Sequence, residues 1–161
     1  MRFCSIASGS SGNCIYVGSE NTHVLVDTGI SGKKMEAGLN SLDLTGRDLD
    51  GILITHEHSD HIKGLGVISR KYGIPIYTTG GTVDAMVRTN ALGKIPDGIF
   101  HEIKEDEPFE IGDLTVNPFS IPHDAAQPVG YRLECDGHSV GIATDLGKSS
   151  ESGCASFGSQ S

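Results

Sequence analysis

The segment that most constrains the fold is a cluster of three histidines and one aspartate behind a short apolar run. His56, His58, Asp60 and His61 fall within six residues and follow residues 51–55, which are typical of a buried β-strand. Alternate residues of an extended loop point the same way, so His56 and His58 can bind one ion while Asp60 and His61 reach a second position beside it. A solvated polar loop is the alternative, but it would require four metal-binding side chains to cluster by accident. The cluster therefore predicts a metal site at the carboxyl end of a strand.

Short apolar segments and helical patterns both alternate and cluster along the chain, which predicts an α+β fold with a mixed β-sheet and outer helices. The connection at residues 8–13 is rich in serine and glycine and is most simply a hairpin turn, since it lacks the Gly-Lys-Ser/Thr ending of a P-loop. Ser31 is the expected N-cap of a first helix. We expect strands at 2–7, 14–18, 23–27, 51–55, 76–78, 109–116, 118–122, 129–135 and 138–143, with further helices at 63–72 and 82–89.

The end of the chain differs in composition from the rest. Residues 149–161 are dominated by serine and glycine and have almost no apolar periodicity. We therefore expect one domain over residues 1–148, followed by a disordered tail over residues 149–161.

Charge and composition narrow the classes of function. The net charge of −9 argues against nonspecific binding to nucleic acid, although seven of the acids are concentrated between residues 97 and 113. The four cysteines form no C-x-x-C pair, which argues against a zinc ribbon or redox motif. The sequence shows neither a membrane-spanning apolar run nor a signal peptide at its start, so we expect no membrane association and a cytoplasmic location.

The histidine cluster and three further motifs resemble, in the same order, the signature of metallo-β-lactamase-fold hydrolases. Residues 26–29 (Val-Asp-Thr-Gly) resemble the first motif, and residues 56–61 resemble the second. Residues 121–124 (Ile-Pro-His-Asp) resemble the third, and residues 143–145 (Ala-Thr-Asp) resemble the fourth. The resemblance covers residues 1 to about 148 and implies the N-terminal part of a metallo-β-lactamase-like αββα sandwich.

The resemblance also implies two divalent metal ions, Zn²⁺ or Mn²⁺, with Fe²⁺ compatible with the same donors. In such proteins the third-motif histidine completes the first metal site, the fourth-motif aspartate bridges the ions, and the first-motif aspartate steadies the histidine loop. Asp60 would also act in catalysis, by orienting the nucleophile. Taken alone, Asp27, His123 and Asp145 would be ordinary turn or loop residues. The implied metal ligands are His56, His58, Asp60, His61, His123 and Asp145, and Asp27 is the implied support behind them.

Residues 8–13 and 123–131 look most like the YycJ/WalJ branch of this superfamily, which is regarded as a group of metal-dependent phosphodiesterases or nucleases. The resemblance implies a hydrolase that uses a metal-activated water on nucleic acid or another phosphodiester. A lactone, thioester or β-lactam hydrolase is an alternative, because one fold supports several such activities. A truncated, inactive metal-binding fragment is a second alternative.

One family feature is missing, since no histidine follows His138 to complete the second metal site. The later strands and helices of the sandwich are missing as well, so we expect a chain truncated at its C-terminus with an incomplete second metal site. Without a second sheet, apolar side chains at 24–26 and 52–54 would meet water. We therefore expect the chain to self-associate.

Overall fold

The computed structural model describes residues 1–9, 12–122, 124–143 and 153–156, the last four by their backbone alone. The strands are β1 Arg2–Ala7, β2 Cys14–Gly18, β3 His23–Val26, β4 Gly51–Leu53, β5 Ile76–Thr79, β6 Phe100–Ile103, β7 Phe109–Ile111, β8 Leu114–Ser120, β9 Val129–Cys135, β10 His138–Ile142 and β11 Gly153–Ser156. The helices are α1 Gly32–Asn40, α2 Ser59–Ile62, α3 Leu65–Tyr72 and α4 Gly80–Arg88, with a short 3-10 helix at Gly46–Asp48.

The larger sheet is mixed and has the strand order β11-β1-β2-β3-β4-β5-β6. Strands β3 to β6 run parallel to one another. Strand β1 pairs antiparallel with both β11 and β2, and β2 pairs antiparallel with β3. Helices α1 and α3 follow β3 and β4, so the chain crosses over between these parallel strands. The carboxyl ends of β3 and β4 consequently meet at one edge of the sheet, where open α/β sheets carry their sites.

The smaller sheet is antiparallel and has the order β10-β9-β8-β7. It packs on the inner face of the mixed sheet, and its Val116, Tyr131 and Leu133 share one apolar core with Val24 and Val26 of β3. A second core lies between the mixed sheet and its outer helices, where Leu25 and Ile52 pack with Met35 of α1 and Ile68 of α3. The layers are therefore helix, sheet and sheet, as expected for part of an αββα sandwich.

The predicted exposure of strands 24–26 and 52–54 is wrong. Val24, Val26 and Leu53 are each 0% exposed because the smaller sheet covers them, and Leu25, Ile52 and Ile54 are equally buried on the helix side. The sequence pattern predicts one mixed sheet, whereas β7–β10 form a sheet of their own. The cause proposed for self-association is thereby removed.

Two further details differ from the sequence-based expectation. Strand β6 was not predicted, and its burial is one-sided, with two exposed residues before the buried Ile103. The predicted strand 109–116 is broken by a tight turn at Gly112, where φ is +57°. A left-handed backbone of this kind is accessible to glycine at little cost, which ends β7 and starts β8.

The C-terminal segment contains one described element. Gly153–Ser156 form β11, which pairs antiparallel with β1. An edge strand such as β1 offers free backbone N–H and C=O groups, so pairing with it needs no apolar periodicity in the added segment. Residues 149–152 and 157–161 of the predicted disordered tail lie outside the described residues.

No helix within the described residues is long and apolar enough to cross a membrane.

Candidate metal centre

Two parallel strands bring the predicted site residues together. Asp27 directly follows β3. Residues 54–61, which carry the histidine cluster and which we call the histidine loop, directly follow β4. The Asp27 N–H donates to the Leu53 carbonyl over 2.7 Å, which extends the pairing of the two strands to the site. His58 is the N-cap residue of α2, so Asp60 and His61 lie in the first turn of that helix.

Asp27 is the centre of a buried hydrogen-bond network and is 1% exposed. Its backbone φ is +67°, a left-handed conformation that aspartate tolerates better than most residues. Its Oδ1 accepts from the Thr55 N–H over 2.8 Å, and its Oδ2 accepts from the Thr55 hydroxyl over 2.8 Å. The same Oδ2 lies 2.6 Å from Nδ1 of His61. One carboxylate thus fixes both ends of the histidine loop.

The donors and acceptors of this network assign the histidine tautomers. A carboxylate only accepts, so Nδ1 of His61 carries the hydrogen and its Nε2 keeps a lone pair. The Thr55 hydroxyl has one hydrogen, which it donates to Asp27, so it accepts from Nδ1 of His56 at 3.0 Å. Both imidazoles therefore have their lone pair on Nε2, which is the tautomer that can bind a metal ion through that nitrogen.

The ring positions and distances fit divalent metal ions. The ring centroid of His56 lies 4.7 Å from that of His58 and 4.1 Å from that of His61. Nε2 of His61 lies 3.6 Å from Oδ2 of Asp60, close to the roughly 3.4 Å that separates two ligands of one tetrahedral Zn²⁺. His56 and His61 are almost fully buried, whereas the Asp60 side chain is 35% exposed and reaches the surface. The arrangement is open on the side of Asp60.

Two predicted ligands lie outside the described residues, namely His123 and Asp145. Among the residues that the structure does describe, no group of three His, Cys, Asp or Glu side chains could hold an ion alone. Among the described residues, the first predicted ion would have the ligands His56 and His58, and the second would have Asp60 and His61. The third ligand of each would come from the two positions that are not described.

Asn13 is a site residue that sequence reasoning missed. Its side-chain Nδ2 lies 3.2 Å from Nε2 of His61 and donates to the Asp60 carbonyl over 3.2 Å. Its backbone N–H donates to that same carbonyl over 2.8 Å, and its own carbonyl accepts from Gly29. Strands β1 and β2 do pair as an antiparallel hairpin, and Asn13, which directly precedes β2, also supports the start of α2. No local pattern predicts this contact, because the partners lie 47 and 48 positions away.

Glu57 connects the histidine loop to the segment that follows position 123. Its Oε2 accepts from the Ala126 N–H over 3.0 Å, and its Oε1 is buried without a hydrogen-bond partner among the described residues. The neighbouring Gln127 accepts from the Gly81 N–H through Oε1 over 2.8 Å, and its carbonyl accepts from the Thr79 hydroxyl over 2.8 Å. These contacts hold residues 126 and 127 against both the histidine loop and the start of α4.

The buried charge of Asp27 also affects two neighbouring groups that do not ionise readily. Burial, and secondarily the negative charge of Asp27, raises the pKa of the Cys14 thiol far above its usual range. The same two causes raise the pKa of Tyr131, whose hydroxyl donates to the Ile54 carbonyl over 2.7 Å. Neither group is therefore a nucleophile at neutral pH.

Comparison with known proteins identifies related sequences over most of the chain. The sequence profile of the Metallo-beta-lactamase superfamily matches residues 7–160. The chain is 42% identical over 147 residues to a Bacillus anthracis protein named Exodeoxyribonuclease YycJ, a match that covers 91% of this chain and 55% of that protein. It is 41% identical over 146 residues to Exodeoxyribonuclease WalJ of Streptococcus pneumoniae, covering 91% and 54%. The chain thus spans about half the length of the curated relatives it matches.

Solved structures show the same fold at low sequence identity. A metallo-beta-lactamase variant from Cronobacter sakazakii superposes with a TM-score of 0.72 at 18% identity, covering 86% of this chain and 59% of that one. Zn²⁺-bound PqqB from Methylobacterium extorquens superposes with a TM-score of 0.69 at 16% identity, covering 91% and 66%.

Proposed function

The chain belongs to the metallo-β-lactamase superfamily, and on this premise we propose that it is a metal-dependent hydrolase that cleaves phosphodiester bonds in nucleic acid. The observation that carries the proposal is the network around Asp27. It holds His56 and His61 in the tautomer that has its lone pair on Nε2, and Nε2 of His61 lies 3.6 Å from Oδ2 of Asp60. Imidazoles in this tautomer next to a carboxylate are a donor set that divalent metal ions bind in proteins.

The residues divide into two groups of ligands. His56 and His58, with His123, would hold a first ion, and Asp60 and His61, with Asp145, would hold a second. Zn²⁺ and Mn²⁺ suit these donors, and Fe²⁺ is compatible with them. When bound, two such ions lower the pKa of a bound water and neutralise charge on the scissile group. Asp27 and Thr55 orient the imidazoles, and Asp60, on the open side, orients the attacking water.

The substrate class rests on the relatives. Both relatives are named exodeoxyribonucleases and are more than 40% identical to this chain. DNA is therefore the substrate we propose, with removal of nucleotides from a strand end as the reaction. The lactamase-like structures support the fold but, at 18% identity or less, not the substrate.

Metal analysis combined with a substrate panel tests the proposal. The purified chain, loaded with Zn²⁺ or Mn²⁺, is assayed for bound metal and for hydrolysis of bis-p-nitrophenyl phosphate, a lactone, a cephalosporin and end-labelled single-stranded DNA. Two bound ions and cleavage of the phosphodiester probes alone are the expected result. Turnover of only the lactone or cephalosporin would overturn the substrate class, and one ion or none without turnover would identify an inactive metal-binding fragment.

We also propose that the protein acts in the cytoplasm, which cell fractionation with a specific antibody would check. Self-association stays a prediction that light scattering tests. The fully buried faces of β3 and β4 offer no surface that would drive it.

A further inference from the structure

A patch of positive charge lies on the outer helices of this acidic chain. Helix α1 and the segment 63–72, which contains α3, carry five basic residues and a single acid, Glu36. The remainder of the chain carries seven basic residues against 20 acids. The net charge of −9 conceals this separation. The basic residues are Lys33, Lys34, Lys63, Arg70 and Lys71, all of them exposed, and we call them the α1/α3 basic patch.

The two helices that carry the patch lie side by side in the same direction. Val67 of α3 packs against Gly32 at the start of α1. One turn further along both helices, Nζ of Lys71 lies 2.7 Å from Oε2 of Glu36. A methyl group placed on Gly64 would lie 3.4 Å from the Gly32 nitrogen and would collide with the Ile30 carbonyl. The backbones that precede Lys33 and follow Lys63 are therefore in direct contact.

Hydrogen bonds connect this end of the patch to the candidate metal centre. The Gly64 N–H donates to the Thr28 carbonyl over 2.8 Å, and the Thr28 N–H donates to the His61 carbonyl over 2.8 Å. Lys63 follows His61 by two residues. Both helices begin at the edge of the sheet where β3 and β4 end, so Lys33, Lys34 and Lys63 lie beside the site.

The five basic side chains of the patch differ in whether they already have a partner within the chain. Lys71 is paired with Glu36, and Arg70 donates to the carbonyls of Leu92 and Lys94 over 2.8 and 2.7 Å. In the part of the chain that the structure describes, no acidic side chain pairs with Lys33, Lys34 or Lys63. These three ammonium groups are available to an external anion.

We infer that Lys33, Lys34 and Lys63 bind the phosphate backbone of the nucleic-acid strand that enters the metal centre. Lysine at a surface contacts phosphates through charge and without reading bases, which suits an enzyme that acts on any sequence. The acids elsewhere on the chain would repel the strand, so its phosphates are held along one path only. The inference deepens the proposed function and rests on it, because it supplies the substrate contacts that the metal ligands lack.

Two double variants with the same change in net charge test the inference. Lys33→Gln with Lys63→Gln removes two charges from the patch, whereas Arg88→Gln with Lys104→Gln removes two exposed charges that lie outside the patch. Each metal-loaded full chain is titrated with a fluorescent 20-nucleotide phosphorothioate oligo-dT at several salt concentrations. The same preparations are assayed on bis-p-nitrophenyl phosphate.

The salt dependence of binding gives the decisive number. Each phosphate contact to a single strand contributes about 0.7 to the slope of log K against log salt, so the patch variant should lose about 1.4 from the wild-type slope. The control should keep both the wild-type slope and the wild-type rate of hydrolysis of the small probe. Equal slopes for the two variants, or no salt-dependent binding by the wild type, would overturn the inference. Failure of the wild type to hydrolyse the small probe would instead count against the proposed function, and the slopes would still decide the role of the patch.

Discussion

The Oδ2 of Asp27 lies 2.6 Å from Nδ1 of His61, and both side chains are 1% exposed. A buried carboxylate behind a histidine fixes the ring orientation, places the hydrogen on Nδ1 and raises the basicity of the opposite nitrogen. The same carboxylate reaches His56 through the Thr55 hydroxyl. Metal binding by the loop thus depends on one residue that would not touch the ion, and the predictions for Asp27 and Thr55 follow from this dependence.

Replacing His58 by alanine should remove most of the metal from the first site. The ion would keep only His56 and His123, which leaves it with too few ligands. Elemental analysis of the dialysed protein measures the loss as about one equivalent per chain. His101→Ala, at an exposed histidine outside the cluster, is the matched control and should retain all the metal. Unchanged metal content in His58→Ala would contradict the ligand assignment.

Replacing Asp27 by alanine should act more mildly on metal binding, because Asp27 supports the ligands without being one. A weakening of metal affinity by about 10- to 100-fold is typical for loss of such a support. Competition with a chromophoric chelator measures it. Complete loss of metal, equal to that in His58→Ala, would show that the supporting role is wrong.

Replacing Thr55 by valine should lower metal affinity while leaving the shape of the side chain almost unchanged. The change removes the donor to Asp27 and the acceptor for Nδ1 of His56. Loss of a buried hydrogen-bond partner costs about 1–3 kcal/mol, so the free energy of unfolding of the metal-free chain should fall as well. Thr55→Ser keeps the hydroxyl and should recover both properties. Nitrogen-15 NMR of the imidazoles should show His56 losing its fixed tautomer only in the valine variant.

Replacing Gly29 by alanine should destabilise the site through backbone crowding. The added methyl group would collide with the Asp60 carbonyl and lie 2.8 Å from the Asn13 nitrogen, and neither backbone can move freely. We expect a loss of about 1–3 kcal/mol in the free energy of unfolding, together with weaker metal binding. Gly141→Ala is the control, since a methyl group there meets nothing within 4 Å. Similar urea midpoints for both variants would contradict the tight packing of Gly29.

Stability should fall at alkaline pH because of Cys14 and Tyr131. The pKa of each is raised by burial in the folded chain, from ordinary values of 9.0 and 10.0. Their contribution is complete below pH 9 and is lost as the pH rises further, because the thiol and phenol then ionise only when unfolded. Each group can cost about 1.4 kcal/mol per pH unit above its unfolded pKa. Urea unfolding between pH 7 and 11 measures the slope, and Cys14→Ala should make it shallower. An unchanged slope in that variant would rule out the thiol as a cause.

The local features of the fold could be predicted from the amino-acid sequence. Strands β1 and β2 have the predicted bounds, and Ser31 caps α1 as expected, with its hydroxyl accepting from the Lys34 N–H. The histidine cluster could be placed after β4 because apolar runs and motif spacing are local properties. The order of the four motifs was also sufficient to indicate the superfamily and its α+β fold.

Contacts between residues that are distant in sequence could not be predicted, because they depend on how the whole chain packs. Asn13 and His61 are 48 positions apart, and Asp27 and His61 are 34 apart, so no local pattern reports their contacts. The burial of Val24 and Leu53 by a second sheet could not be predicted from the sequence for a related reason. Apolar periodicity shows that a strand face is buried but does not identify the element that covers it, and this is settled by packing across the whole chain.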